Sequence, residues 1–200
     1  MDYRELIEKC NFDHASEQRM KSCKPFVCKE QDISDFFAVD VHGYQRRQLT
    51  KAYIVTAKDA PDDIIVAYTI SNDSIRLTNK LADGYKDQFL DETDLRDKNI
   101  KRFPGVLIGR FGTASKYEHQ GYGSAVMDSI KYVAKYMLPT GCRFLIVDAM
   151  NKADTLAFYR KNGFCYLVED ERLEAKYVGI GVGSLPLRTR LMYFDLMKLE

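Results

Sequence analysis

The chain contains no apolar stretch long enough to span a membrane, and its opening, MDYRELIEKC, lacks the apolar core of a signal peptide. These two absences predict a cytosolic (cytoplasmic) protein with no membrane partner. An excess of one charge sign is also missing: 30 Lys and Arg stand against 29 Asp and Glu, a formal net charge of +1. That balance neither points to nucleic acid nor excludes it, because a local basic face fits within a neutral chain. There is no internal repeat, low-complexity tract or usable linker, so 200 residues read as one domain with a substantial core. The expected division is an N-terminal segment over 1–24 and a domain over 25–200. Cys10, Cys23, Cys28, Cys142 and Cys165, taken with His14, fit no common zinc-ligand spacing. Free thiols and no metal are therefore expected.

What is present is concentrated between Val106 and Gly163. The run from Val106 to Ile108 opens a strand that continues to Thr113, and a polar turn holding Gly121 and Gly123 follows. Val126, Ile130, Val133, Ala134 and Met137 then share one face at the helical spacing, until Pro139 and Gly141 stop the helix. Phe144 to Val147 reads as a buried strand. Asn151 is placed to cap a second helix ending at Gly163. This is one crossover unit with a glycine turn at a helix start, where unpartnered amides and the helix dipole favour an anion. A plain strand-to-helix turn accounts for the same glycines. The G-x-G-x-x-G of a nicotinamide site and the Gly-Lys-Ser/Thr of a triphosphate loop are both absent.

The flanking chain has less to say. Tyr3 to Lys9 fits a short helix, and no other element is evident before Pro25. Asp32 is placed to cap a helix whose Ile33, Phe36, Phe37, Val41 and Tyr44 share a face. Ala52–Ala57 and Ile64–Ile70 read as an antiparallel hairpin around Asp59 to Asp63. The polar connection from Thr78 to Phe103 is long enough to be functional or partly helical. Phe164–Val168 and Leu191–Leu196 are further strand candidates, separated by a charged and then glycine-rich excursion.

Two segments resemble the GNAT superfamily of acetyl-CoA-dependent N-acyltransferases, over about residues 104 to 170. Glu118, His119, Gln120, Gly121, Tyr122 and Gly123 match the family's R/Q-x-x-G-x-G/A turn, with Glu118 in place of the Arg or Gln. NKADTLAFYRKNGF is similar to the family's second cofactor segment. Phe26, Cys28, Asp32, Ile33, Phe36 and Phe37 resemble a motif of the subgroup that includes the toxins of bacterial toxin–antitoxin pairs, with Lys29 where the motif has glycine. AYTISND and KRFPGVLIGRF are similar to the same subgroup.

The resemblance implies an α/β (α+β) fold, a mixed and mostly antiparallel sheet flanked by helices. It also implies acetyl-CoA as cosubstrate, an N-acetyltransferase reaction, and a set of roles. The amides from His119 to Ser124 would hold the pyrophosphate, and the backbone of Phe111 and Thr113 would carry the pantetheine arm and offer an oxyanion donor. Asn151 and Phe158 would border the cofactor, with Asn151 acting as a cap alone or as a cap and a contact. Tyr159 would protonate the departing thiolate; packing helix to sheet is its alternative role. No base is evident among His14, His42 and the carboxylates. An α-amine, with a pKa near 8, needs less help than a lysine near 10.4. The acceptor stays open between charged tRNA, as in the toxin subgroup, and a small or protein amine; a non-catalytic acetyl-CoA sensor is the third reading. Basic candidates for tRNA are Arg46, Arg47 and Lys51, then Arg96, Lys98, Lys101 and Arg102, then Arg188 and Arg190. An antitoxin protein and a homodimer are the partners left open.

Overall fold

The computed structural model describes residues 1, 3–95 and 100–199. In chain order the described elements begin with α1 (Tyr3–Lys9), β1 (Cys10–His14), α2 (Glu17–Lys21), α3 (Gln31–Asp35) and, after a wide π turn over Phe36–Asp40, α4 (Val41–Arg46). The hairpin β2 (Lys51–Ala57) and β3 (Ile64–Arg76) follows, then α5 (Asp83–Glu92), β4 (Arg102–Thr113) and α6 (Tyr122–Tyr136). The chain continues through β5 (Phe144–Met150), α7 (Ala153–Lys161), β6 (Cys165–Tyr166), α8 (Glu171–Val178) and β7 (Thr189–Asp195). The strands hydrogen-bond in the order β1-β2-β3-β4-β5-β7-β6. β4 and β5 are parallel, with Val106 opposite Leu145, so the two central predicted strands share one sheet. The β1–β2, β2–β3, β5–β7 and β6–β7 pairs are antiparallel. This is the mixed, mostly antiparallel α/β architecture expected.

Two compact units divide the chain, one from Met1–Ser71 with Ile108–Tyr132 and the other from Asn72–Leu107 with Val133–Glu200. In the first, β1 adds a strand that the sequence reading missed, pairing from Cys10 opposite Ala57 to His14 opposite Tyr53. Phe12 shares a face with buried Cys10 yet is 40% exposed, so the burial of this strand does not follow a clean two-residue alternation. Phe26, Cys28, Ile33, Phe36, Phe37 and Val41 pack onto Ala52, Ile54 and Ala67 of the hairpin. Burying a ring as completely as Phe37, at 1% exposure, is worth about 2–3 kcal/mol. Asp32 does not cap α3: the cap position is Glu30, without a side-chain bond, and Asp32 lies in the first turn, where its charge still suits the helix dipole.

The second unit is built around rings. Phe89 of α5 lies 5.3 to 5.4 Å from Phe103, Phe144 and Tyr193, so the long polar connection is partly helical and plugs a core. The excursion after β6 contains α8, another omission of the sequence reading. Asp170 caps it by accepting from the amides of Arg172 and Leu173, and Gly179 ends it in the left-handed region at φ 80°. α6 stops near the predicted breakers, but its face is shorter than predicted. Val126, Ile130 and Ala134 are buried, whereas Val133 and Met137 are exposed. Periodicity marks the direction of a helix face, not how far along the helix that face is covered.

Candidate functional site

In the first unit, β4 leads through Ala114 and a tight turn over Ser115–Tyr117 into the glycine segment. His119 sits in the left-handed region at φ 60° and Gly121 at φ 87°. Only the glycine does so without steric cost, and a Cβ there would come 3.2 Å from the Met1 nitrogen. Tyr122, Gly123 and Ser124 begin α6, and the helix closes with the Ala125 amide donating to the Gly121 carbonyl. The amides before it have no partner inside the helix by geometry, so they form a set of donors at its positive end. Gln120 and His119 are exposed, while Glu118 is half-buried in extended backbone.

This turn is held from several sides. Ala114 bridges Cys28 and donates to the Ile65 carbonyl, and the Ser115 amide donates to the Val27 carbonyl. Gly112 is close-packed: a Cβ would meet Ile33, Cys28 and Phe26 at 3.1 to 3.2 Å. The motif at Phe26, Cys28 and Ile33 therefore covers the end of β4. Phe111 lies half-buried at the end of a row of rings, 6.5 Å from Tyr68, which stacks on Tyr53. Thr113 is half-buried. Asp63, from the hairpin turn, binds the ammonium of Lys116 and accepts from the Tyr117 hydroxyl at 3.2 Å. Lys24 approaches the same carboxylate at 3.2 Å. Hydrogen bonds from Lys116 and Lys24 hold Asp63 well below its usual value, at about 2. The sequence reading missed both Asp63 and Gly112, since only the folded chain brings them to the turn.

In the second unit, α7 presents Phe158 and Tyr159. The Tyr159 ring is buried edge-on between Phe158 at 5.3 Å and Phe164 at 5.4 Å. Burial pushes its phenol above the ordinary value of 10, so it stays protonated through neutral pH. Its hydroxyl makes no hydrogen bond among the described residues. Asn151 departs from its expected role: the cap position of α7 is Lys152, without a side-chain bond. The Asn151 amide nitrogen instead donates to Glu171 and to the Leu187 carbonyl, both at 2.9 Å. An asparagine before a helix can cap or bridge, and here the start of α8 and the approach to β7 each supplied an acceptor.

The basic candidates also divide. Arg46, Arg47, Lys51, Lys101, Arg102 and Arg188 are exposed, while Arg96 and Lys98 lie outside the described residues. Arg190 is not surface at all. It is 7% exposed, 2.6 Å from Glu174, and it donates to the carbonyls of Val168 and Glu169. It locks α8 to β7 and leaves the list of tRNA candidates. Among the described residues no helix is long and apolar enough to cross a membrane.

No family model and no curated protein sequence matches the chain. Solved structures do. The crystal structure of a tyrosine-to-phenylalanine mutant of KacT superposes with a TM-score of 0.65 at 17% identity, over 94% of this chain and 96% of that one. AtaT complexed with acetyl-methionyl-tRNAfMet matches at 0.66 and 18%, over 94% and 95%. The chain shares their fold. A further match, at 0.60 and 17% over 94% of each chain, is a tyrosine-to-phenylalanine mutant of the toxin AtaT bound to the C-terminus of the antitoxin AtaR and acetyl-CoA.

Proposed function

We propose that the protein is an acetyl-CoA-dependent N-acetyltransferase acting on a primary amine, with the α-amine of aminoacyl-tRNA as its acceptor. The observation that carries the reading is the left-handed Gly121 turn at the start of α6, in a fold shared with proteins solved with acetyl-CoA and with an acetylated aminoacyl-tRNA. The local geometry supports a pyrophosphate there: a glycine that a side chain would strain and amides at a helix start.

The roles follow from the chemistry. Amides from His119 to Ser124 hold the pyrophosphate, with Glu118 the unfavourable neighbour, and the backbone of Phe111 and Thr113 carries the pantetheine arm. Phe158 borders the cofactor, and Asn151 contributes through its carbonyl oxygen, since its amide hydrogens are committed. Acetyl-CoA supplies an activated acetyl thioester. A neutral amine forms the new C–N bond at the carbonyl carbon, and an amide on β4 stabilises the oxyanion. As the C–S bond breaks, Tyr159 gives its proton to the sulfur, whose thiol form has a pKa near 8.5. The proton released by the acylated nitrogen passes through solvent and restores the phenol, so the products are an amide and a free thiol.

Exposed Arg46, Arg47, Lys51, Lys101, Arg102 and Arg188 support a tRNA acceptor through phosphate contacts. A toxin of this kind implies an antitoxin partner, which would suppress it in the cell. The decisive experiment incubates the protein with labelled acetyl-CoA and charged tRNA. N-acetyl-aminoacyl-tRNA is the expected product, and inducing the gene in a bacterium should halt growth through translation. Intact, unacetylated tRNA together with normal growth would move the assignment to a small or protein amine. Gly121→Val should abolish acetyl-CoA binding in calorimetry while the protein stays folded, because a β-branched residue resists the left-handed region.

A further inference from the structure

We infer that Asp63 is the positioning residue of the cofactor turn, setting its conformation from the hairpin between β2 and β3. The inference rests on the acetyl-CoA reading above and goes beyond it, since Asp63 touches neither the glycines nor the first amides of α6. Its position is fixed independently of the turn. The Asp63 amide donates to the Ala60 carbonyl at 2.9 Å, and its own carbonyl accepts from the Ala57 amide. At 8% exposure it is a carboxylate drawn out of water and repaid by charged donors.

From that fixed point two links run to the turn. The first is the Lys116 ammonium, and Lys116 is gripped at its other end too, where its carbonyl accepts from Gln120 at 3.0 Å. Gln120 is the residue immediately before Gly121. The second is the Tyr117 hydroxyl, whose ring meets the ring of Tyr122 edge-on at 5.6 Å. Tyr122 is the first residue of α6. One carboxylate thus reaches both flanks of Gly121, through Lys116 and Gln120 on one side and through Tyr117 and Tyr122 on the other. Lys24 completes the neutralisation and binds Asp62 as well, so the hairpin turn is itself tied to the segment leading to Cys28.

A turn with two left-handed residues is one of several conformations open to so polar a segment, and only the one that aligns its amides can hold a phosphate. When the competent conformation is fractionally populated, apparent affinity falls by that fraction. Asp63→Ala removes the two links together and should weaken acetyl-CoA binding about tenfold, which corresponds to a turn that is competent about a tenth of the time. Turnover at saturating acetyl-CoA should hold, giving a raised KM with an unchanged kcat. A merely structural role would instead lower the active fraction and leave KM where it was.

The test measures acetyl-CoA affinity by calorimetry on the full chain for wild type, Asp63→Ala and Asp63→Asn, with hydrogen exchange over residues 115–124 of the unliganded protein. Expected are about tenfold weaker binding for Asp63→Ala, an intermediate loss for Asp63→Asn, and faster exchange of the turn amides in both. Wild type binding with Asp63→Ala within twofold of it would overturn the inference and leave the enzyme reading standing. If Asp63→Ala does not fold, Tyr117→Phe combined with Lys116→Met decides: the pair keeps the ring on Tyr122 and the Lys116 carbonyl but removes both links to Asp63, so an unchanged affinity there overturns the inference. A wild type that does not bind acetyl-CoA defeats the underlying reading and the inference with it, whatever the exchange shows.

Discussion

The glycine turn of the first unit and the Tyr159 helix of the second are opposite ways of making a functional group dependable. In the proposed reaction the turn works through backbone amides; its residues are half-buried or exposed, and the segment is anchored from outside by Asp63, Cys28 and Val27. Tyr159, in the same proposal, works through one side-chain atom. Its ring is locked by Phe158 and Phe164, and its hydroxyl is left without a partner among the described residues. A backbone function therefore needs distant anchors and tolerates change at its own positions, glycines excepted. A side-chain function concentrates its whole effect in one atom.

The sharpest contrast comes from Tyr159→Phe. General acid catalysis typically contributes about 10²- to 10⁴-fold, and turnover should fall by a similar factor. The ring packing survives and no hydrogen bond is lost, so the thermal midpoint and acetyl-CoA affinity should match wild type. A rate loss below about threefold, or a lowered melting temperature with the rate per folded molecule preserved, would make Tyr159 a structural residue and erase the contrast.

Next in size is an effect on stability confined to the second unit. Arg190→Met leaves the Glu174 carboxylate buried at 1% exposure without its guanidinium, and breaking such a pair costs about 3–5 kcal/mol. Replacing both, as Arg190→Met with Glu174→Leu, should recover much of that loss. Urea midpoints of the two variants test it. Equal destabilisation in both would show that the packing of α8 on β7, not the unpaired charge, is what the substitution harms.

Arg190 also shows where sequence reasoning stops. The strands at Val106 and Phe144, the hairpin and the helix after Gly121 were legible because burial and turn chemistry leave local patterns. Arg190 looks like any charged residue near a chain's end, and only its distant partner, 16 positions earlier in α8, reveals it as core. The sequence marks Asp63 as a turn residue, yet its hold on Lys116 spans 53 positions that no local pattern connects. The sequence predicts a cap at Asn151 because asparagine before a helix usually has no better partner, and here Glu171 is one. The glycine turn could be found from its residue types. Whether its amides converge on a ligand depends on backbone angles that identity does not encode.

Acid titration separates the two regions again. Asp63 has its carboxyl held at about 2 against an unfolded value of 3.8, so its stabilising effect is present above that unfolded value and lost as pH falls toward about 2. Tyr159, with its phenol raised by burial, contributes no pH dependence there and costs stability only as pH climbs past its unfolded value of 10. The thermal midpoint of wild type minus that of Asp63→Asn should therefore be constant from pH 7 to 5 and shrink below pH 4. A difference that stays constant down to the acid limit would mean that Lys116 and Lys24 do not hold the carboxylate as described.

The smallest effect belongs to Glu118, the one position where the turn departs from the pattern it resembles. It is half-buried, three residues before Gly121, in extended backbone between Tyr117 and the left-handed His119. A carboxylate near a pyrophosphate is repelled, but solvent and salt screen most of the interaction between exposed charges at several ångströms. Glu118→Gln removes the charge at constant shape and should tighten acetyl-CoA binding by about two- to fivefold at low salt, the range of a few tenths to one kcal/mol. The gain should shrink as ionic strength rises to about 0.5 M, because screening weakens the repulsion that the variant relieves. An affinity that does not change at any salt would mean that the carboxylate points away from the phosphates. Tighter binding that is insensitive to salt would instead trace the gain to a new hydrogen bond from the glutamine amide. The salt series distinguishes these outcomes where a single affinity would not.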